Sequence, residues 1–263
     1  MSSEAYFPPA RNLSTAWADT FLRLNDPGIS ELSPAIIVVT DFDRGVAVED
    51  FNIRQLLDDE MSRLKQRSCE DVASTIFPNS MWNPNIEDNA AQLFSRYERI
   101  WPAIKHRDRA NSKGNYFRRL TAYKPDGANG LPVNQLQHII DTFLRGNHRR
   151  SALQAAIFDP TRDHVHNRIL GFPCLQQVAF APVGSDGLSI TGFYPLQYMF
   201  EKAYGNYLGL CRLGRFMAHQ MQRTLVKMTC VASALTLGNQ PKSALRGFEQ
   251  RLRQYRIEAA AER

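Results

Sequence analysis

Hydrophobic positions along this chain change period several times, and each period predicts an element. From Ser14 onward, Trp17, Phe21 and Leu24 recur at helical spacing until Asp26-Pro27-Gly28 stops them, so a short helix is expected there. Residues 35–40 are rich in β-branched side chains and read as a buried strand. Asp50 precedes the stripe Ile53, Leu56, Leu57, Met61 and Leu64, which predicts a helix with the aspartate as its cap. A short helix is expected over 69–77, a loop over 79–88, and then a longer helix with Leu93, Phe94, Tyr97, Ile100 and Trp101 on one side. Residues 106–113 form a basic polar link, and 123–132 a loop rich in Gly and Pro. Val133, Leu136, Ile140, Phe143 and Leu144 mark an amphipathic helix ended by Gly146. Residues 151–158 read as a strand closed by Asp159-Pro160.

The densest pattern follows. An apolar run over 174–183, the turn signal Ser185-Asp186-Gly187 and alternation over 188–194 predict a hairpin. Helical spacing then holds over 204–222, a strand is expected over 226–237, and Pro241 opens a last helix carrying Leu245, Phe248, Leu252 and Tyr255. Residues 1–10, polar with Pro8-Pro9, read as a loose arm. With no repeat, low-complexity stretch or clear linker, residues 1–263 are expected to form a single domain.

Composition narrows the function classes. With 43% hydrophobic residues the chain can build a core. It has no apolar run of about twenty residues, so no transmembrane helix is expected. Met1-Ser2-Ser3-Glu4 has none of the features of a secretory leader, and a cytoplasmic protein is the expectation. The cysteines Cys69, Cys174, Cys211 and Cys230 are far apart, which indicates neither a zinc site nor a disulfide framework. Asp163, His164 and His166 lie close together without a third ligand at useful spacing, so they read as a polar loop and no metal is expected. The net charge of +6 suits an anionic ligand.

The candidate chemistry centres on Cys174, which stands after Pro173 at the mouth of the hairpin. A thiol placed there can be held in position and reached from a cleft, although a small apolar filler is the bland alternative. Arg149-Arg150 precede the 151–158 strand, Asn206 opens the helix after the hairpin, and Gly114-Asn115-Tyr116-Phe117-Arg118 lie upstream. In kind and order these landmarks resemble the thymidylate synthase and pyrimidine-nucleotide hydroxymethylase family. That family has a Pro-Cys-His opening a strand, an Arg-Arg pair before it, a Gly-Lys-Gln-Trp-Arg further upstream and a Phe-Asn at the next helix. The resemblance runs over roughly residues 111–238, about half the chain.

The resemblance implies an α/β fold, a mixed sheet flanked by helices, and a homodimer with sheets packed back to back. It implies a transferase that adds a methyl or hydroxymethyl unit to carbon-5 of a pyrimidine nucleotide. Cys174 would be the nucleophile at carbon-6, and methylene-tetrahydrofolate the donor. Arg149 and Arg150 would reach the phosphate of the neighbouring subunit's nucleotide, where the planar guanidinium matches phosphate oxygens; a solvated pair is the alternative. Asn206 would read the base, leaning toward uracil because relatives acting on cytosine tend to have Asp there; a helix N-cap is the alternative. Lys113 falls where the family has a tyrosine near the nucleophile, and would add charge beside the thiolate. Glu70 is one candidate for the family's base-side glutamate.

Departures accompany the landmarks. Where the family has Gln-Arg-Ser-x-Asp, this chain has Tyr194-Pro195-Leu196-Gln197-Tyr198. Leu175 replaces the histidine after the cysteine, and Ala234-Leu235-Thr236 replaces the His-x-Tyr that holds the sugar. A charged helix takes the place of the C-terminal tail that closes over folate. Each charged hydrogen bond lost from a phosphate site costs roughly 1.5–3 kcal/mol, which points to a modified or differently bound pyrimidine. A second reading is therefore a catalytically silent nucleotide-binding or assembly subunit. A third is a base-modifying enzyme acting on polymeric nucleic acid. The Arg-rich C-terminal stretch is balanced by Glu249, Glu258 and Glu262, however, and reads better as a solvated face.

Overall fold

The structure, a computed structural model, describes residues 2–85, 89–125, 129–166 and 171–261. Its strands are β1 (Ser2–Tyr6), β2 (Glu31–Val39), β3 (Phe42–Asp43), β4 (Val46–Ala47), β5 (Gln154–Ala156), β6 (Gln177–Val183), β7 (Gly187–Tyr198) and β8 (Thr224–Thr236). Its helices are α1 (Leu13–Asn25), α2 (Phe51–Arg63), α3 (Cys69–Ser74), α4 (Asn89–Arg107), α5 (Tyr116–Thr121), α6 (Gln135–Leu144), α7 (Pro160–Asp163), α8 (Tyr204–Gln220) and α9 (Lys242–Ala261). The fold is mixed α/β. One sheet runs in the order β1-β2-β8-β7-β6-β5, and β3 and β4 make a separate two-stranded ribbon.

The alternation of β7 explains how the sheet and helices meet. Leu188, Ile190, Gly192 and Tyr194 are buried, and the residues between them are only half-buried. The buried set faces α8, which returns the chain to β8 in a parallel β7–α8–β8 crossover. Gly192 is small because α8 lies close: a Cβ there would stand 2.8 Å from a Leu210 methyl. The β6–β7 hairpin is antiparallel in the expected register, with Gln177 opposite Phe193 and Val183 opposite Gly187. On the same side of the sheet, Trp17 and Phe21 of α1 pack with Phe200 and with Phe248 of α9. A second aromatic group joins Phe77, Trp82, Phe117 and Phe216.

Local chemistry accounts for the helix boundaries. The Asp50 carboxylate accepts from the amides of Asn52 and Ile53 and starts α2 as expected. Asn134 caps α6, and Gly146 follows its end at φ +89. Helix α8 has no side-chain cap. It grows out of a π-helical turn, Met199–Ala203, which links it to β7. Helix α3 lies against α8 where Gly205 and Gly209 occupy one face, four residues apart. Among the described residues no helix is long and apolar enough to cross a membrane.

Four local expectations are corrected. Residues 2–6 of the expected loose arm form β1, parallel to β2. Residues 116–118, which in the resembled family would lie along a strand flanking the cleft, belong to a helix, α5. The strand expected over 151–158 shrinks to β5, because Arg150–Ala152 form a 3-10 turn. The Arg149-Arg150 pair therefore sits on a turn and not at a strand start. The α3–α8 contact gives a test. A Cβ on Gly205 would stand 2.5 Å from Val72 Cβ and 2.7 Å from the Cys69 carbonyl oxygen. Gly205→Ala should lower unfolding stability by about 1–3 kcal/mol in urea titrations, and an unchanged midpoint would refute this packing.

Candidate functional site

A cleft of about 540 Å³ opens where the end of β7, the start of α8 and the segments around 108–116 and 171–174 meet. Its size is that of a pocket for a nucleotide-sized molecule. Cys174, Asn206 and Gly114, distant in sequence, all line it. Val72, Pro173 and Leu196 with the rings of Tyr116, Tyr194 and Tyr198 make its apolar surface. Arg67 and Lys202 bring positive charge, and Asn111, Asn115 and Gln197 add amides. Among the described residues no carboxylate lines the cleft.

Cys174 precedes β6 and is the exposed cysteine, while Cys69, Cys211 and Cys230 are at most 2% exposed. Crowding by the cleft walls pushes its thiol up from the ordinary value, and the Lys202 ammonium pulls in the opposite direction. Tyr116 stands against Cys174: its hydroxyl lies by the backbone of Cys174 and Leu175, and burial keeps it protonated. Tyr194, at 0% exposure, forms part of the floor, and its hydroxyl has no partner among the described residues. Gln197 is held in place from behind, with Tyr207 donating to its carbonyl at 3.4 Å and Cys230 in contact at 3.6 Å.

Asn206 is the third residue of α8 and is 4% exposed. It is therefore not an N-cap, and the bland alternative for it falls. Its amide faces the cleft with no hydrogen bond to a described residue. The other expected residues lie elsewhere. Lys113 is outside the lining and donates from Nζ to the Arg162 carbonyl at 3.2 Å. Gly114, at φ +91, turns the chain between them, so Tyr116 and not Lys113 reaches Cys174. Arg149 and Arg150 are exposed and outside this chain's cleft. Glu70 is tied to Arg212 by two hydrogen bonds of 2.6 and 2.8 Å, away from the lining. No metal-binding cluster exists among the described residues. Asp163 is instead buried in an ion pair, and His164 packs on Phe158.

That ion pair holds the cleft wall. Arg119 donates to both Asp163 oxygens, at 2.6 and 3.0 Å, with side-chain exposures of 1% and 0%. The same guanidinium donates to the Ile157 carbonyl at 3.0 Å and to the Gly114 carbonyl at 3.2 Å. Asp163 also accepts from the Asp159 amide at 2.9 Å. Sequence reasoning singled out Asp163 only as part of a polar loop and Tyr116 only as part of an upstream landmark, and it did not single out Arg119, Arg67 or Lys202. The available signal for Lys202 was its position one helical turn before Asn206.

Comparison with known proteins adds no relative: no protein-family model matches the chain, and no curated protein does.

Two outcomes follow from these contacts. Arg119→Met leaves a buried carboxylate unpaired and should cost about 3–5 kcal/mol in denaturant unfolding. Burial alone would raise the Asp163 carboxyl, but Arg119 and the Asp159 amide outweigh it and hold the group below its ordinary 3.8. A depressed carboxyl stabilises the fold fully above its unfolded value and loses that contribution as pH falls through the folded one. Wild-type stability should thus fall on acidification below 3.8, and the fall should be shallower in Asp163→Asn. At the thiol, Cys174 alkylation by iodoacetamide should still be accelerating as pH passes 9.0. A plateau reached below that pH would contradict the assigned shift.

Proposed function

We propose that the cleft performs covalent chemistry on a pyrimidine nucleotide, adding a methyl or hydroxymethyl unit at carbon-5. The observation that carries this reading is the meeting of Cys174 and Asn206 in one cleft of nucleotide size. The Cys174 thiolate adds to carbon-6, and the electrons of the carbon-5–carbon-6 double bond move toward the carbon-4 oxygen as an enolate. Carbon-5 then attacks the carbon of a one-carbon donor: for a methyl unit the donor's leaving group departs with the bonding electron pair, and for a hydroxymethyl unit the aldehyde oxygen takes the carbonyl electron pair and then a proton. Loss of the carbon-5 proton and expulsion of the thiolate from carbon-6 restore the double bond. Asn206, with one donor and one acceptor, is suited to the carbon-4 oxygen and nitrogen-3 proton of uracil.

Methylene-tetrahydrofolate, the donor the resemblance implies, does not fit the residues present. No carboxylate lines the cleft among the described residues, and α9 packs on α1 and α2 instead of closing over it. No step is therefore assigned to folate. A homodimer belongs to the same reading. Strand pairing aligns Ile36, Val231 and Phe193 in one row, and Val38, Thr229, Thr191 and Ala179 in the next. These rows lie on the face turned away from α8, are half-buried and carry no charge. Two such faces packed back to back would offer Arg149 and Arg150 of the partner subunit to this cleft.

The raised Cys174 thiol and the missing acid favour one other reading, a nucleotide-binding subunit without turnover. Tritium release from carbon-5-tritiated UMP, dUMP, CMP and dCMP separates the two. Release abolished in Cys174→Ala is expected; binding without release supports the silent subunit, and full release in Cys174→Ala sinks the mechanism. Asn206→Asp should move the preference from uracil toward cytosine by about tenfold, equivalent to 1.4 kcal/mol from one mismatched hydrogen bond.

A further inference from the structure

We propose that Arg67 and Lys202 form an anion subsite within the cleft, which takes the phosphate of the bound nucleotide. The identity of the ligand rests on the nucleotide reading above; the anion subsite itself does not. Both side chains line the same cleft as Cys174, from opposite parts of the sequence: Arg67 from the α2–α3 link and Lys202 from the π-helical turn before α8.

One of the two charges is held by the fold, and the other is left for a ligand. Arg67 is oriented by an ion pair with Asp108, whose other oxygen accepts from the Ala110 amide at 2.9 Å. Lys202 has no ion pair among the described residues, although it faces a partly desolvated cleft. Burial lowers its pKa, and the nearby Arg67 charge lowers it further. The adjacent Glu201 does not relieve it by contact, since that carboxylate is buried and accepts from the Asn239 amide at 2.8 Å. The Asp108 carboxylate, outside the lining, pairs with Arg67 and acts on Lys202 only at a distance, so the Lys202 ammonium meets no anion by contact, and a ligand anion beside it and the remaining Arg67 donors would supply one.

The rest of the cleft also lacks ligand atoms. The Tyr194 hydroxyl is fully buried and unpartnered, and the Asn206 amide has no hydrogen bond to a described residue. A molecule with a dianionic group at one end and hydrogen-bonding edges at the other completes both ends. A nucleoside monophosphate has that chemistry. The arginine that the family places after the hairpin is Pro195 here, so Arg67 and Lys202 would supply the charge which that position lost.

Cys174 provides the readout, because the other three cysteines are buried. The full-length protein is alkylated with iodoacetate, an anion, and iodoacetamide, a neutral reagent of similar size, with and without inorganic phosphate. In the wild type the iodoacetate-to-iodoacetamide rate ratio should exceed that of a free thiol, and phosphate should suppress it. Lys202→Met should lower the ratio by about tenfold, the factor given by 1.4 kcal/mol of electrostatic interaction. Arg67→Met should lower it in the same direction, and Lys202→Arg should restore it. Circular dichroism selects folded variants, and if Lys202→Met does not fold, Arg67→Met and phosphate competition decide alone. A ratio unchanged in the variants, or indifferent to phosphate, overturns the subsite. UMP or CMP protecting Cys174 better than uridine or cytidine, with the advantage lost in Lys202→Met, supports both the subsite and the nucleotide reading. Phosphate suppression with no protection by any nucleotide keeps the subsite and removes the nucleotide.

Discussion

The buried pair between Arg119 and Asp163 is the constraint on which the site depends. One guanidinium ties four parts of the chain: the turn at Gly114, the end of the β5 segment at Ile157, and, through Asp163, α7 and the Asp159 amide. A charge this deep is tolerable only when each of its hydrogen bonds is made. The requirement fixes backbone on both sides, so Tyr116 and its neighbours present the same wall to the cleft. Arg119 touches nothing that would react. It bears on Cys174 by holding the segment whose tyrosine stands beside that thiol.

The opposite wall is fixed by close packing. Gly205 and Gly209 let α3 approach α8 until backbone and Val72 fill the space a side chain would need. Between those glycines and the end of β7 lies the π-helical turn, which inserts the extra residue that sets where Lys202 points relative to Asn206. The cleft thus forms where a parallel strand hands the chain to its crossover helix, a position at which open α/β sheets commonly leave a crevice.

Much of the architecture was legible because it is local. The apolar stripes of α1, α2, α6, α8 and α9 and the alternation of β7 sit in short windows, and Asp50 capped α2 as its side chain predicts. What escaped depends on distant partners. Strand β1 exists because β2 offers it an edge, and its own sequence reads as an arm. Arg119 and Asp163 are ordinary charged residues until the fold buries both. Lys113 was placed by counting from Gly114, yet the left-handed conformation at that glycine sends Lys113 to Arg162 and Tyr116 to the thiol. Cys174 and Asn206 were singled out together because they stand at landmarks of the resembled family in the right order, and both line the cleft. Arg67 lies in a link with no such signature.

The central pairing of the sheet also bears on how the molecule is made. Strand β2 joins β8 with Ile36 opposite Val231, so residues from the first sixth of the chain wait for residues from its last sixth. At ribosomal speed the wait is about 10–40 s. Throughout it, the apolar run Ala35, Ile36, Ile37, Val38 and Val39 has β1 on one edge and nothing yet on the other. The helices between, each carrying its own apolar stripe, form while that edge stands open. When β8 arrives it pairs with β2 on one side and β7 on the other, so a single strand joins the two halves of an open six-stranded sheet. Cys174 lies before β6, which is tied to β2 only through β7 and β8, so the wall that carries its thiol is anchored to the N-terminal strands by that one strand.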